Sequence, residues 1–278
     1  MKHILTLTDF SSIAENAVAS AFVFASKYNC ALTIYHNSNE GSYSTYHLSS
    51  NSNMNYTTVD KKDKAPTTKW KEQARKLNIE VKFIIGNGNL KKNVEHLVKE
   101  KQIDLLVMGS TGAGGKDEYI WGSNTEEIIN EIDCPVLVIK KPMTDYRIDN
   151  IVFASSFDLK EREVFQYALD LLTPPQDCII HLLSIDTLSF FTQPTAIMKE
   201  AMKNYESIAK PYKAVSHFYK DYSIDSGIRH FLEEIKPDLL IMSNKHSNPI
   251  KKFIKGSNTI RAVNHADFPV LTIDYSTK

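Results

Sequence analysis

Net charge is absent from this chain: 33 Lys and Arg balance 33 Asp and Glu over 278 residues. That balance excludes a broad electrostatic grip on nucleic acid or on an anionic membrane, though it leaves room for a local patch. Cysteine is scarce. Cys30, Cys134 and Cys178 are an odd three, so they cannot all pair within the chain. Each stands in or beside an apolar, strand-like run, where a buried free thiol is the usual case. The expected setting is therefore reducing and cytoplasmic. Long apolar runs are missing, so no membrane span is expected, and the run in "MKHILTLTDF" is too short for a signal peptide. There is no H-E-x-x-H motif, no paired-carboxylate motif and no metal-ligand spacing of His and Cys, and no Ser-His-Asp or Cys-His arrangement emerges from spacing. Glycine is sparse too, at ten residues, yet five of them crowd between Gly109 and Ser123.

What remains is an ordinary globular composition, 42% hydrophobic and 24% charged. The length suits two domains of about 140 residues. The two halves repeat. "DLLVMGSTG" from Asp104 matches "DLLIMSNKH" from Asp238, an offset of 134 residues. "GSNT" from Gly122 and from Gly256, "PVLVI" from Pro135 and "PVLTI" from Pro269, and the helical runs from His96 and His230 keep that offset. An unchanged offset across four segments indicates a duplicated domain. The openings, with Phe10 in "LTLTDF" and Phe157 in "VFASSF", stand 147 apart. The surplus in the first half falls mostly in the polar stretch Asn37 to Pro66, which has no clear period. It reads as a surface loop or as a lid following the second strand. The domains are expected at 1–143 and 148–278, joined near "KPMTDYRIDN".

Within the first half, "HILTL", "ALTIYH", "EVKFII", "DLLVM" and "PVLVIK" read as strands. "SIAENAVASAFVFASKY", "TTKWKEQARKL", "LKKNVEHLVKEKQ" and "NTEEIINEI" carry the helical period. Short strands alternating with longer helices predict βαβ units, a parallel sheet and right-handed crossovers, hence a doubly wound α/β domain in each half.

The glycine-rich connection lies between the fourth strand and a helix. Backbone N–H groups can hold a phosphate only if no Cβ stands in the way, and a helix start adds free N–H groups and its dipole. Ser123 and Glu126 also read as a capping box. The spacing is G-x2-G-x9-G-S, formed by Gly109, Gly112, Gly122 and Ser123. It matches neither the P-loop nor the G-x-G-x-x-G fingerprint.

It resembles the nucleotide-binding signature of the universal stress protein family. Asp9 in "LTLTDFS", the second-strand "LTIYH" and the fifth-strand "CPVLVI" extend that resemblance across both halves. It implies two tandem Rossmann-like sheets of strand order 3-2-1-4-5, with the ligand in the crevice where that order reverses. It implies a nucleotide-binding stress-response or signalling protein that is not an enzyme, with at most weak ATP hydrolysis. One ATP, with or without Mg2+, would be held by the first domain. Asp9 would contact the nucleoside, Met108 and the segment after "YH" the base, and Gly109, Gly112, Gly122 and Ser123 the phosphates; Asn124 completes the set. Where the family often has an apolar residue after the His, this chain has Asn37. The partners implied are the nucleotide and an unidentified protein, without nucleic acid or membrane. Fifth strands commonly pair across a dimer in this family, so an internal pseudo-dimer is expected, with a further homodimer open. A non-nucleotide binding module and an ATP-using enzyme of a related α/β superfamily are the competing readings.

In the second half Ser243, His246, Gly256 and Ser257 take the places of the signature, and Ser156 that of Asp9. That copy is expected to keep the fold without the triphosphate site. His36 and His181 are expected at equivalent strand ends, and His96 and His230 on equivalent helices, all in structural roles.

Overall fold

A computed structural model describes residues 1–38, 56–58, 65–110, 123–187, 195–244 and 268–274. Backbone contacts divide the chain into two compact units, with the division between Tyr146 and Arg147.

The first unit runs β1 (His3–Leu7), α1 (Ser12–Tyr28), β2 (Ala31–Ser38), β3 (Tyr56–Thr58), α2 (Ala65–Leu77), β4 (Val81–Asn87), α3 (Leu90–Lys101), β5 (Leu105–Gly109), α4 (Ser123–Glu131) and β6 (Val136–Ile139). Its strand order is β3-β4-β2-β1-β5-β6. All pairs are parallel except β3 with β4. Without β3 this is the expected 3-2-1-4-5. The second unit runs β7 (Asn150–Ala154), α5 (Glu161–Leu172), β8 (Ile179–Asp186), α6 (Thr195–Ile208), β9 (Lys213–Lys220), α7 (Ile224–Ile235), β10 (Leu239–Asn244) and β11 (Val270–Asp274). Its order, β11-β10-β7-β8-β9, is the same topology with every pair parallel.

Local chemistry explains the element ends. Ser11 caps α1, its hydroxyl accepting from the Ala14 N–H at 3.2 Å, and Asn29 ends the helix in the left-handed region. Asn89 caps α3 in the same way, and Ser223 with Ser226 forms a reciprocal cap on α7. The repeated aspartate of "DLLVM" and "DLLIM" has one job in both copies. Asp104 accepts the His3 N–H at 2.9 Å and Asp238 the Asn150 N–H at 2.9 Å, which ties the start of the first strand to the start of the fourth. The interiors of β1, β5, β7 and β10 are buried on both faces, as parallel strands between helices must be. Burial keeps the three free thiols protonated, pushing Cys30 up to about 11 and Cys134 and Cys178 up to about 12.

Two expectations need correction. The polar stretch after β2 contains a strand: β3 pairs antiparallel with β4 and covers its outer edge, with Thr57 opposite Ile85. Its Tyr-Thr-Thr sequence suits a strand but is too short to show alternation. His36 and His181 are not equivalent. His3 pairs with Ala31 and Asn150 with Ile179, so His181 corresponds to Thr33, inside its strand. Register with the first strand, not the position of a histidine near an apolar run, sets the correspondence. The expected linker also docks on the first unit. The Met143 N–H donates to Ser20 Oγ at 3.0 Å, and the Tyr146 hydroxyl meets that of Tyr28 at 2.5 Å.

Candidate functional site

In a doubly wound sheet the ligand crevice opens at the carboxyl ends of the two strands whose connections leave in opposite directions. Here those are β1 and β5, paired through Thr6 and Val107. Asp9 lies just past the end of β1, and Gly109 ends β5. Of the residues expected at the nucleotide, Asp9, Asn37, Met108 and Gly109 are described in full. Gly112 and Gly122 lie outside the described residues. Ser123 and Asn124 open α4, with their side chains outside the described part.

The turn after β1 is built by Thr8. Its backbone N–H donates to Tyr35 O at 2.9 Å, and its hydroxyl accepts the Phe10 N–H at 3.0 Å. That closed turn holds Phe10 at φ 65°, which a side chain adopts only when its surroundings require it. Asp9 is left exposed, accepting the Ser11 N–H at 2.9 Å. Partial burial pushes its carboxyl up, but hydrogen bonds from Ser11 outweigh burial and hold it below the usual carboxylate value. Asp9 is therefore ionised near neutral pH and presents a fixed acceptor.

Gly109 is needed for a local reason. A Cβ there would lie 2.7 Å from Ile13 O and 2.8 Å from Ile13 Cγ2. The first turn of α1 thus comes hard against the end of β5, and a side chain would push it away. Met108 is 5% exposed and packs in the sheet, so it reaches the crevice only as a rim. Ser110 follows, with its hydroxyl buried and without a hydrogen-bond partner among the described residues.

Asn37 is held by protein groups. Its Oδ1 accepts from the Tyr35 hydroxyl at 2.7 Å and from Asn93 Nδ2 at 3.1 Å, and its Nδ2 donates to Gly88 O at 3.0 Å. Gly86 makes this possible, since a Cβ there would stand 2.2 Å from Tyr35 Oη. Burial pushes the Tyr35 hydroxyl up to about 12 despite its bond from Asn93. The polar residue in the place of an apolar one thus ties β2 to α3.

Sequence reasoning missed an aromatic group beside the crevice. The Phe10 ring, 37% exposed, lies 4.6 Å from His36 and 6.1 Å from Trp70, parallel to the latter within 6°. Phe83 closes the group at 5.7 Å from Trp70. His36 Nδ1 donates to Thr8 O at 2.8 Å, which orients the ring. The position of Phe10 directly after Asp9 was the available signal. Among the described residues no three His, Cys, Asp or Glu side chains converge as metal ligands, and no helix is long and apolar enough to cross a membrane.

The second unit copies this frame and fills it differently. Ser155 Oγ accepts the Phe157 N–H at 2.7 Å, as Thr8 serves Phe10, and Phe157 has φ 56°. Asp158 Oδ1 accepts the Glu161 N–H at 3.1 Å, as Ser11 serves Ala14. The Glu161 side chain, 2% exposed, accepts from Ser155, from Ser156 at 3.0 Å and from Ser243. Phe157 is 4% exposed and meets Tyr205 edge-on at 4.9 Å. The Tyr205 hydroxyl donates to Asp158 O at 2.6 Å.

Comparison with known proteins agrees with this duplicated fold. A universal stress protein from Archaeoglobus fulgidus superposes with a TM-score of 0.65 at 14% identity, covering 98% of this chain and 96% of that one. A protein of unknown function from Pseudomonas aeruginosa gives 0.67 at 12% identity, covering 99% and 92%. By sequence, the universal stress protein MJ0531 of Methanocaldococcus jannaschii is 34% identical over 74 residues, 27% of this chain and 44% of that protein. The universal stress protein YxiE of Bacillus subtilis is 31% identical over 70 residues, 25% and 47%. The chain therefore matches under half the length of these curated relatives. The family model described as "Universal stress protein family" matches residues 1–140 and again 147–274, so the chain belongs to the universal stress protein family as two tandem copies.

Proposed function

We propose that the chain is a nucleotide-binding stress-response or signalling protein that takes one ATP in the strand-end crevice of its first unit. The observation that carries this reading is the meeting of an ionised, exposed Asp9 and a side-chain-free Gly109 at the ends of adjoining strands β1 and β5. The carboxylate suits a ribose hydroxyl, which donates to it. Gly109 and the start of α4 suit phosphate oxygens through backbone N–H groups. The buried Ser110 hydroxyl is a further donor, with no acceptor among the described residues. The output is a change of conformation or of protein partner, with hydrolysis weak at most.

Titration calorimetry tests this. The expected result is one ATP per chain. Asp9→Ala removes a charge-assisted hydrogen bond, about 1.5–3 kcal/mol, and weakens binding by at least about tenfold. Gly112→His, which imports the residue of the second copy, has the same effect or larger. Two equal sites, or none, overturn the reading. In the second case, mass spectrometry of small molecules that copurify separates a different ligand from an empty scaffold.

A further inference from the structure

The second unit contains a polar cluster that the nucleotide reading leaves unused. Glu161 is 2% exposed, and its carboxyl group faces three serine hydroxyls contributed by two segments. Ser155 and Ser156 follow β7, and Ser243 lies in β10. Oε2 accepts from Ser155 and from Ser156 at 3.0 Å, and Oε1 accepts from Ser243. Ser155 Oγ already accepts the Phe157 N–H at 2.7 Å, so its hydrogen is available for Glu161. An ionised carboxylate is acceptor-only, and hydroxyls on both of its oxygens suit it.

All four positions of this cluster have counterparts in the first unit. Ser155 corresponds to Thr8 through the same turn, Glu161 to Ala14 through the same bond from its N–H to the side chain three residues before, and Ser243 to Gly109 through the register of the fourth strand with the first. Ser156 stands in the place of Asp9. So in one copy the crevice has a carboxylate at its mouth and no side chain at the end of its fourth strand. In the other copy the carboxylate has moved inside, onto the helix, and hydroxyls surround it.

We propose that the strand-end crevice of the second unit is a carboxylate-binding site filled by the chain's own Glu161, and that this side chain closes the copy to phosphate. A phosphate brought to the same hydroxyls meets a buried carboxyl group that already occupies them and would have to give up three hydrogen bonds to leave. Glu161 is the specificity-determining residue between the two copies, and none of the signature positions includes it. The phosphate half of the proposal rests on the nucleotide reading of the first unit. The carboxylate half stands on the cluster alone.

The experiment uses the full chain and Glu161→Ala, which restores the alanine of the first unit and leaves a space with three hydroxyls. Thermal unfolding is followed in sodium formate, sodium acetate and sodium chloride at equal ionic strength. The expected result is that E161A melts below the parent, and that formate or acetate, but not chloride, raises its midpoint by about 2–4 °C at a concentration roughly tenfold above its dissociation constant. The parent, whose site is filled, gains nothing from either anion, and neither does Glu161→Gln, which fills the same space. Should E161A not stay folded on purification, its refolding yield with formate against chloride reads the same property. Equal action of formate and chloride on E161A, or an E161A as stable as the parent, overturns the proposal. A second arm places the carboxylate in the other copy: Ala14→Glu is expected to weaken ATP binding at least tenfold, and unchanged binding overturns the phosphate half. If the parent binds no ATP, the nucleotide reading fails and the phosphate half with it, while the formate arm still decides the carboxylate site.

Discussion

The two strand-end crevices share a frame and differ in what fills it. In both copies a hydroxyl at the end of the first strand closes a turn, a phenylalanine takes positive φ, and the side chain of the next residue accepts the N–H three positions on. Backbone N–H groups must be satisfied wherever the chain turns, so these features persist regardless of ligand. The fillings follow different needs. The first copy exposes Asp9 and Phe10 and keeps Gly109 bare. The second buries Phe157 under Tyr205 and satisfies Glu161 with serines. The lesson is that one frame carries two fillings: where the first copy has Gly109, the second has a serine whose hydroxyl donates to Glu161.

The sharpest way to break this comparison is to exchange the residues at the end of the fourth strand. Gly109→Ser drives a Cβ into the Ile13 carbonyl, and overpacking against backbone costs about 2–3 kcal/mol. Chemical denaturation should show that loss in the first transition affected. The reverse change, Ser243→Gly, removes a donor to Glu161 and adds backbone freedom, for a loss of about 1–2 kcal/mol. If Gly109→Ser costs no more than Ser243→Gly, α1 does not press on β5 as described.

A smaller effect is expected from Asn37→Val, which installs the apolar residue common in the family. It removes the acceptor of Tyr35 and Asn93 and costs about 1–2 kcal/mol, with Asn93 retaining its bond to Asn87 O at 2.7 Å. Calorimetry on this variant also tells whether Asn37 helps or hinders ligand affinity. Unaltered stability would show that the amide is replaceable by solvent.

The mildest test contrasts the copies through pH. His181 and His217 of the second unit meet at 2.9 Å between β8, β9 and Phe231 of α7. Thr33 holds the position of His181 in the first unit. Burial depresses both histidines. For His181 the neighbouring His217 and then Lys213 add to that depression, while for His217 Glu234 opposes it. A histidine whose folded value is depressed binds protons more readily when unfolded. Stability is therefore fully present above the ordinary histidine value of 6.5 and is lost as pH falls through it toward the folded values. His181→Thr should flatten that loss in melts between pH 7 and 5. His3, also depressed by burial, retains its own share in the first unit, so a residual slope is expected.

Periodicity and punctuation placed α1 at its observed ends, because Ser11 and Asn29 are cap residues flanking an apolar stripe. The duplicated offset identified the second unit, because equal spacing of four segments has no other source. Asp9 and Gly109 were readable as neighbours at the strand ends because a doubly wound sheet brings β1 and β5 together. Three residues of Tyr56–Thr58 were not readable as β3, since only the open edge of β4 makes them a strand. The aromatic group of Phe10, His36, Trp70 and Phe83 was hidden for a similar reason. Its members come from four separate segments that carry no common spacing.

The linear order of residues determined the fold class, the duplication and the copy with the glycine signature, because those depend on periods, caps and spacings counted along one chain. Tertiary structure decided what stands in each crevice. Glu161 carries no motif in sequence. It becomes the occupant of a site only when β7 and β10 lie side by side, bringing Ser155, Ser156 and Ser243 around one carboxylate that packing has removed from water.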